Sequence, residues 1–163
     1  MNVTIDIVLP PVIVAMLMGI IITTNSLIVD STVENRLTYE LQYFANTSAN
    51  IVQHEMRGLT DVIQASGPHL RYSKFNQDTV HIYQEGRDMK VATEYADGSP
   101  NDTTSYPAKL SNLEFTLEPS EIMLQVRVVT ESRPNQEVGN NSERYQGMAE
   151  KSIYLRNKHM SQL

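Results

Sequence analysis

The chain opens on a long apolar run. Residues 7–22 read IVLPPVIVAMLMGIII, and after Thr23, Thr24, Asn25 and Ser26 the run closes with Leu27, Ile28 and Val29. No charged side chain lies between Asp6 and Asp30. A helix crosses a bilayer with about 20 mostly apolar residues, so this stretch is long enough. From Asp30 to Ala65 there is no proline, and Gly58 is the one glycine. Val33, Leu37, Leu41, Phe44, Ser48, Ile51, Leu59 and Val62 recur at helical spacings and predict one stripe. Glu34, Arg36, Glu40, Gln53, Glu55, Arg57 and Asp61 take the other faces, where Arg36–Glu40 and Arg57–Asp61 have ion-pair spacing. Ala65-Ser66-Gly67-Pro68 supplies the stop signal. The expectation is a nearly continuous helix over residues 3–65, about 90 Å long. Its first half is apolar all round and its second half is amphipathic.

Pro10-Pro11 interrupts the apolar half. Proline inside a helix removes a backbone hydrogen bond and crowds the preceding turn, which predicts a kink or an unwound turn over residues 6–11. The alternative places Pro10 and Pro11 at the helix N-terminus, after an extended lead-in that holds Asp6.

Beyond Pro68 the period shortens to two. Residues 70–75, 79–83 and 89–95 alternate, with Glu85-Gly86-Arg87-Asp88 as a hairpin turn. Residues 113–117 and 122–129 continue the pattern, and 152–156 close it. Residues 96–107 and about 131–147 are polar and rich in turn formers, and they read as loops. The fold class expected is α+β, a long N-terminal helix packed on a small antiparallel β-sheet domain. The segments are 1–29 (apolar helix for a membrane or filament core), 30–66 (its amphipathic continuation) and 67–163 (the β domain).

Composition narrows the function. The net charge is −6, and no basic run occurs, so nucleic acid is not an expected partner. No cysteine is present, which removes disulfides, thiolate nucleophiles and Cys-based metal sites together. The first charge is Asp6 and the first base is Arg36, unlike the basic start of a secretory signal. A segment left after removal of a charged leader fits better.

Chemistry is sparse. His54, His69, His81 and His159 are not spaced as ligands on one element. No Ser-His-Asp pattern and no phosphate loop are recognisable, so neither an enzyme nor a cofactor is expected. Asp97 and Asp102 lie in an oxygen-rich loop that lacks the repeated acidic spacing of a calcium site. Sequons begin at Asn2, Asn46, Asn101 and Asn140, and Asn101 and Asn140, in the two polar stretches, are the candidate glycosylation sites. Of the helix aromatics, Phe44 is expected under the sheet and Tyr39 toward another subunit, with Tyr43 beside them.

This order of parts resembles a type IV pilin-like protein, across pilins, minor pilins and pseudopilins. The ending Ile153-Tyr154-Leu155-Arg156-Asn157 is similar to the late strand of the minor-pilin and pseudopilin branch. The resemblance implies a precursor held in the inner membrane, a leader removed by a dedicated peptidase, and a pilus assembly machinery as partner. It also implies an acid near the N-terminus that pairs with a neighbour's amine. Here that acid is Asp6, an aspartate rather than the family's glutamate, and the C-terminal cysteine pair of many major pilins is missing. The filament-core contacts expected are Asp6, Ile7, Val8, Val12, Ile13, Val14, Met16, Leu17, Ile20 and Ile21. Three functions follow. The first is a structural subunit of a helical surface filament made of copies of this chain. The second is a minor pilin or secretion pseudopilin at a filament tip. The third, of another class, is a membrane-anchored extracytoplasmic binding module.

Overall fold

The computed structural model describes residues 3–119, 122–132 and 145–155, with side chains from residue 10 onward. One helix, α1 (Val3–Glu55), precedes eight strands. These are β1 (Leu59–Gly67), β2 (His69–Lys74), β3 (Thr79–Glu85), β4 (Asp88–Glu94), β5 (Asp102–Pro107), β6 (Leu110–Leu117), β7 (Met123–Glu131) and β8 (Gln146–Tyr154). They form one antiparallel sheet in the order β5-β4-β3-β2-β1-β6-β7-β8. The architecture is α+β, as the sequence pattern predicts.

Alternation drives the strands. In β3 Val80 and Ile82 are buried, in β4 Met89 and Val91, and in β7 Leu124, Val126 and Val128. Glu85 faces Asp88 across the β3–β4 turn, and Gly86 takes a φ of 63° there, as a tight hairpin requires. The two halves of the sheet, β5–β1 and β6–β8, are joined by only two residue pairs, Ser66–Thr116 and Gly67–Phe115. Burial does the rest of the joining. Tyr72, Ile82 and Met89 share one core with Phe115, Leu124 and Val126. Each such side chain contributes about 1.5–3 kcal/mol by leaving water.

The helix packs on β7 and β8. Its buried stripe is Leu41, Ala45, Ser48, Ala49 and Val52, with Met56 continuing it just past the last turn. Small residues dominate because the backbones come close. At Gly147 an added Cβ would lie 2.5 Å from the carbonyl carbon of Leu41 and 2.6 Å from the nitrogen of Gln42. The Thr130 hydroxyl donates to the Leu41 carbonyl at 2.9 Å. Gln42 Nε2 donates to the Met148 carbonyl at 2.7 Å, and its Oε1 accepts from the Met148 N–H at 3.4 Å. Phe44 is only half-buried and lies 5.1 Å under the Lys109 ammonium, which also bridges to Glu40 at 2.6 Å. Glu40 thus pairs with Lys109 across to the sheet rather than with Arg36 along the helix.

Several expectations are corrected. The helix ends at Glu55, not Ala65. Gly58 has a φ of 86°, a left-handed conformation that stops a helix cheaply only in glycine, and the Tyr72 hydroxyl donates to the Glu55 carbonyl at 2.7 Å. Residues 59–67 form β1, whose register shifts at Leu59/Asp61 and Val62/Gln64 place Leu59 and Val62, three residues apart, on the buried face. Those bulges imitate a helical period. The stretch 96–107 is not all loop, since β5 occupies its second half. The last strand begins at Gln146 and ends at Tyr154 rather than spanning 152–156. The helix is continuous through Pro10 and Pro11, so neither the unwound turn nor the extended lead-in over residues 6–11 is present.

Candidate functional site: an exposed apolar helix

The distinctive surface is the half of α1 that touches nothing. From Pro10 to Val33 every helix position is exposed, apolar or not. Val12, Ile13, Val14, Met16, Leu17, Ile20 and Ile21 are 48–67% exposed, a value that solvent-facing leucine-class side chains rarely share over two full turns. The most apolar window of the helix has a mean hydropathy of 2.3 and none of it is buried within the subunit. By length and composition this helix can cross a membrane.

Backbone chemistry adds two details. Pro10 and Pro11 lack N–H groups, so within a continuous helix the carbonyls of Asp6 and Ile7 lose their usual partners four residues on. Two main-chain acceptors are therefore left open beside the Asp6 position. The side chains of Asp6, Ile7 and Val8, all expected core contacts, lie outside the described residues. Farther along, the Thr23 hydroxyl donates to the Gly19 carbonyl at 2.9 Å, and Thr32 donates to Ile28 at 2.7 Å. These hydroxyls satisfy themselves on the helix and need no water. Gly19 leaves a shallow dent between Met16 and Thr23, where an added Cβ would meet nothing within 4 Å. Asn25, by contrast, presents an exposed amide inside the apolar run.

The amphipathic half holds the sheet by polar contacts at both flanks. Tyr145 donates to Glu34 Oε1 at 2.9 Å, and Lys151 donates to Gln53 Oε1 at 2.9 Å and to Asn50. Near the distal end Lys74 bridges to Glu55 at 3.6 Å. Burial pushes the Tyr72 phenol well above its usual range, with a smaller push from the Glu55 carboxylate. This rigid seat fixes the direction in which the apolar half projects.

The other singled-out residues do not converge. His54 lies on the helix, His69 stacks on Tyr83 with ring centroids 6.1 Å apart, and the His81 Nε2 lies 3.4 Å from Glu94 Oε1. His159 lies outside the described residues. Among the described residues no three His, Cys, Asp or Glu side chains gather as a metal site. Asp97 is exposed, and hydrogen bonds from the Ser99 side chain and N–H, the latter at 2.9 Å, hold its carboxyl below the usual range. Asn101 is exposed just ahead of β5, whereas Asn140 lies outside the described residues, as do Arg156 and Asn157 of the resemblance. Sequence reasoning missed the contact at Gly147, whose only signal was a glycine in an otherwise ordinary strand. Comparison of the chain with protein-family models, with curated proteins and with solved structures gave no match.

Proposed function

We propose that this chain is the structural subunit of a helical surface filament of the type IV pilin kind, assembled through its apolar helix. One observation carries the reading: a helix apolar on all faces stands wholly exposed while its continuation is seated rigidly on a sheet. Such a helix requires lipid or other helices around it. The subunit waits in the membrane as a single-pass protein and then exchanges lipid for a bundle of identical helices. A head-to-tail contact that does not close on itself gives an open filament.

Two features favour the bundle as the final environment. The exposed Asn25 amide has no partner in hydrocarbon but can bond to a neighbouring helix, and the dent at Gly19 admits a neighbour's side chain. The acceptors at the N-terminal end also suit a bundle. The carbonyls of Asp6 and Ile7, left without N–H partners by the two prolines, and a carboxylate at position 6 are acceptors that a neighbour's amine would complement. Asp6 thereby sets axial register, and the β domain forms the outer wall.

The test is electron microscopy of filaments sheared from cells that make this chain, with mass spectrometry of the purified fibre. The expected result is a fibre composed mainly of this chain, and Asp6→Ala reduces fibre yield at least tenfold at equal membrane levels. Fibres holding only traces of the chain favour a tip subunit instead. A monomer that never leaves the membrane fraction favours the anchored binding module and sinks the filament reading.

A further inference from the structure

The exposed half of α1 carries an amide that its own helix does not satisfy. The Thr23 and Thr32 hydroxyls donate to carbonyls one turn back, at 2.9 and 2.7 Å. The Asn25 amide makes no hydrogen bond among the described residues. In hydrocarbon such an amide has no water to turn to, and it bonds across to another helix. Its surroundings form a seam. Val14, Met18, Ile21, Asn25, Ile28 and Thr32 recur at alternating steps of four and three residues, and all are exposed. That is the spacing of paired helices, in which one asparagine at a core position fixes register and partner number.

The seam also faces a free side. About seven and a half turns of one continuous helix separate Asn25 from buried Val52, so the seam lies opposite the sheet. Two chains pressed together there carry their sheet domains outward, without collision. Copies that enter the membrane in one orientation hold Asn25 at one depth, set by the uncharged run between Asp6 and Asp30. A parallel second copy therefore presents an asparagine level with the first. The amide is self-complementary, because it carries both donors and an acceptor. Area sets the strength of the contact. Covering one apolar side chain of this size hides about 60–120 Å2. The seam residues of two copies thus cover roughly 700–1,400 Å2, which reaches only the lower part of the range of about 1,200–2,000 Å2 that stable complexes bury. Packing alone gives a reversible pair, and the asparagine bond selects it.

We infer that α1 pairs in the membrane with a second, parallel copy of this chain along the seam from Val14 to Thr32, with the two Asn25 amides bonded to each other. The inference rests on the membrane stage of the filament reading and deepens it. The pair is isologous and closes on itself, unlike the head-to-tail contact of the fibre. It is a storage form of the membrane pool. Assembly exchanges it for the bundle, whose helices offer the amide other partners.

The chain has no cysteine, so a single introduced cysteine reports one position. The full chain is reconstituted in phosphatidylcholine vesicles and oxidised, and disulfide-linked dimers are measured on gels. Met18→Cys and Ile28→Cys, on the seam, are expected to link. Met16→Cys and Leu27→Cys, on the opposite side of the helix, are expected not to. In the Met18→Cys background Asn25→Val is expected to lower the dimer yield at least fivefold. Equal incorporation into vesicles and unchanged circular dichroism show that the variants insert and fold. Absence of seam linking, equal linking on both sides, or indifference to Asn25→Val overturns the inference. Fibre yield from cells is scored separately. Fibres of this chain without seam linking leave the filament reading standing and remove the pair, and seam linking without fibres does the reverse.

Discussion

Replacing Gly147 by alanine puts the helix–sheet junction to a test of sign. The backbone of Gly147 is not left-handed, so alanine there meets no conformational penalty. Chain entropy alone then predicts stabilisation by about 0.4–1 kcal/mol, because alanine restricts the unfolded chain. The contact predicts the opposite. The new Cβ would lie 2.5–2.6 Å from three main-chain atoms of Leu41 and Gln42. Carbon atoms in good contact sit about 3.5–4.0 Å apart, so the overlap approaches 1 Å. Backbone cannot rotate out of the way as a side-chain tip can, and overpacking of this kind costs about 1–3 kcal/mol. Pushing the helix outward also stretches the Thr130 bond to Leu41 and the Gln42 bonds to Met148, each worth about 0.5–1.5 kcal/mol. The net expectation is a loss of about 3 kcal/mol. Urea unfolding of the full chain in detergent micelles, followed by the strand signal in circular dichroism, gives the change from the midpoint at constant slope. In a thermal scan the same loss lowers the transition by about 10–20 °C for a domain of this size. A neutral or stabilised Gly147→Ala would refute the close approach of β8 to the helix.

Three further outcomes follow from single contacts. Tyr72 is fully buried and its ionisation is displaced upward, so its contribution is intact below the unfolded value near pH 10 and is lost as pH rises through the folded one. Urea midpoints between pH 8 and 11 (about 10.0 being the ordinary phenol value) should fall for the parent and fall less for Tyr72→Phe. Ser99→Ala removes the hydrogen bond from the Ser99 hydroxyl to Asp97, and an NMR titration should show the Asp97 midpoint moving up toward ordinary carboxylates. Asn101 is exposed, so if it is an acceptor in the producing cell, Asn101→Gln should sharpen and speed the gel band, while an unchanged band rules that site out.

The parts of the fold with a clean period were legible in the sequence. The β3–β4 hairpin was marked by its alternation and by Gly86, and the apolar helix by its composition. Failure came where packing geometry distorted the period. In β1 two bulges space Leu59 and Val62 as a helix would, and the Gly67-Pro68 stop signal then closed the wrong element. On the helix, large residues at 44 and 51 drew the stripe toward themselves. The seat actually uses Ala45, Ser48 and Ala49, because only small side chains fit where Gly147 presses on the backbone. β5 carries no apolar alternation at all: its residues are exposed on both faces except for half-buried Tyr106, and main-chain pairing to β4 defines it. For the candidate site, the exposed apolar residues were readable one by one. The contacts of Glu34, Glu40 and Glu55 with Tyr145, Lys109 and Lys74 were not, since they depend on how the helix meets the sheet domain.

The pair of bonds between Gln42 and Met148 has a consequence for solubility. β8 is the terminal strand on its side of the sheet, and its outer main-chain groups offer a template to any extended segment that drifts past. At Met148 that template is occupied, because a side-chain amide presents the same donor and acceptor that another strand would offer. The helix thus acts as a guard rail along the edge. Crowded copies are steered away from uncontrolled edge-to-edge growth at β8, while the opposite edge, β5, is blunted differently, by being short and ending in Pro107.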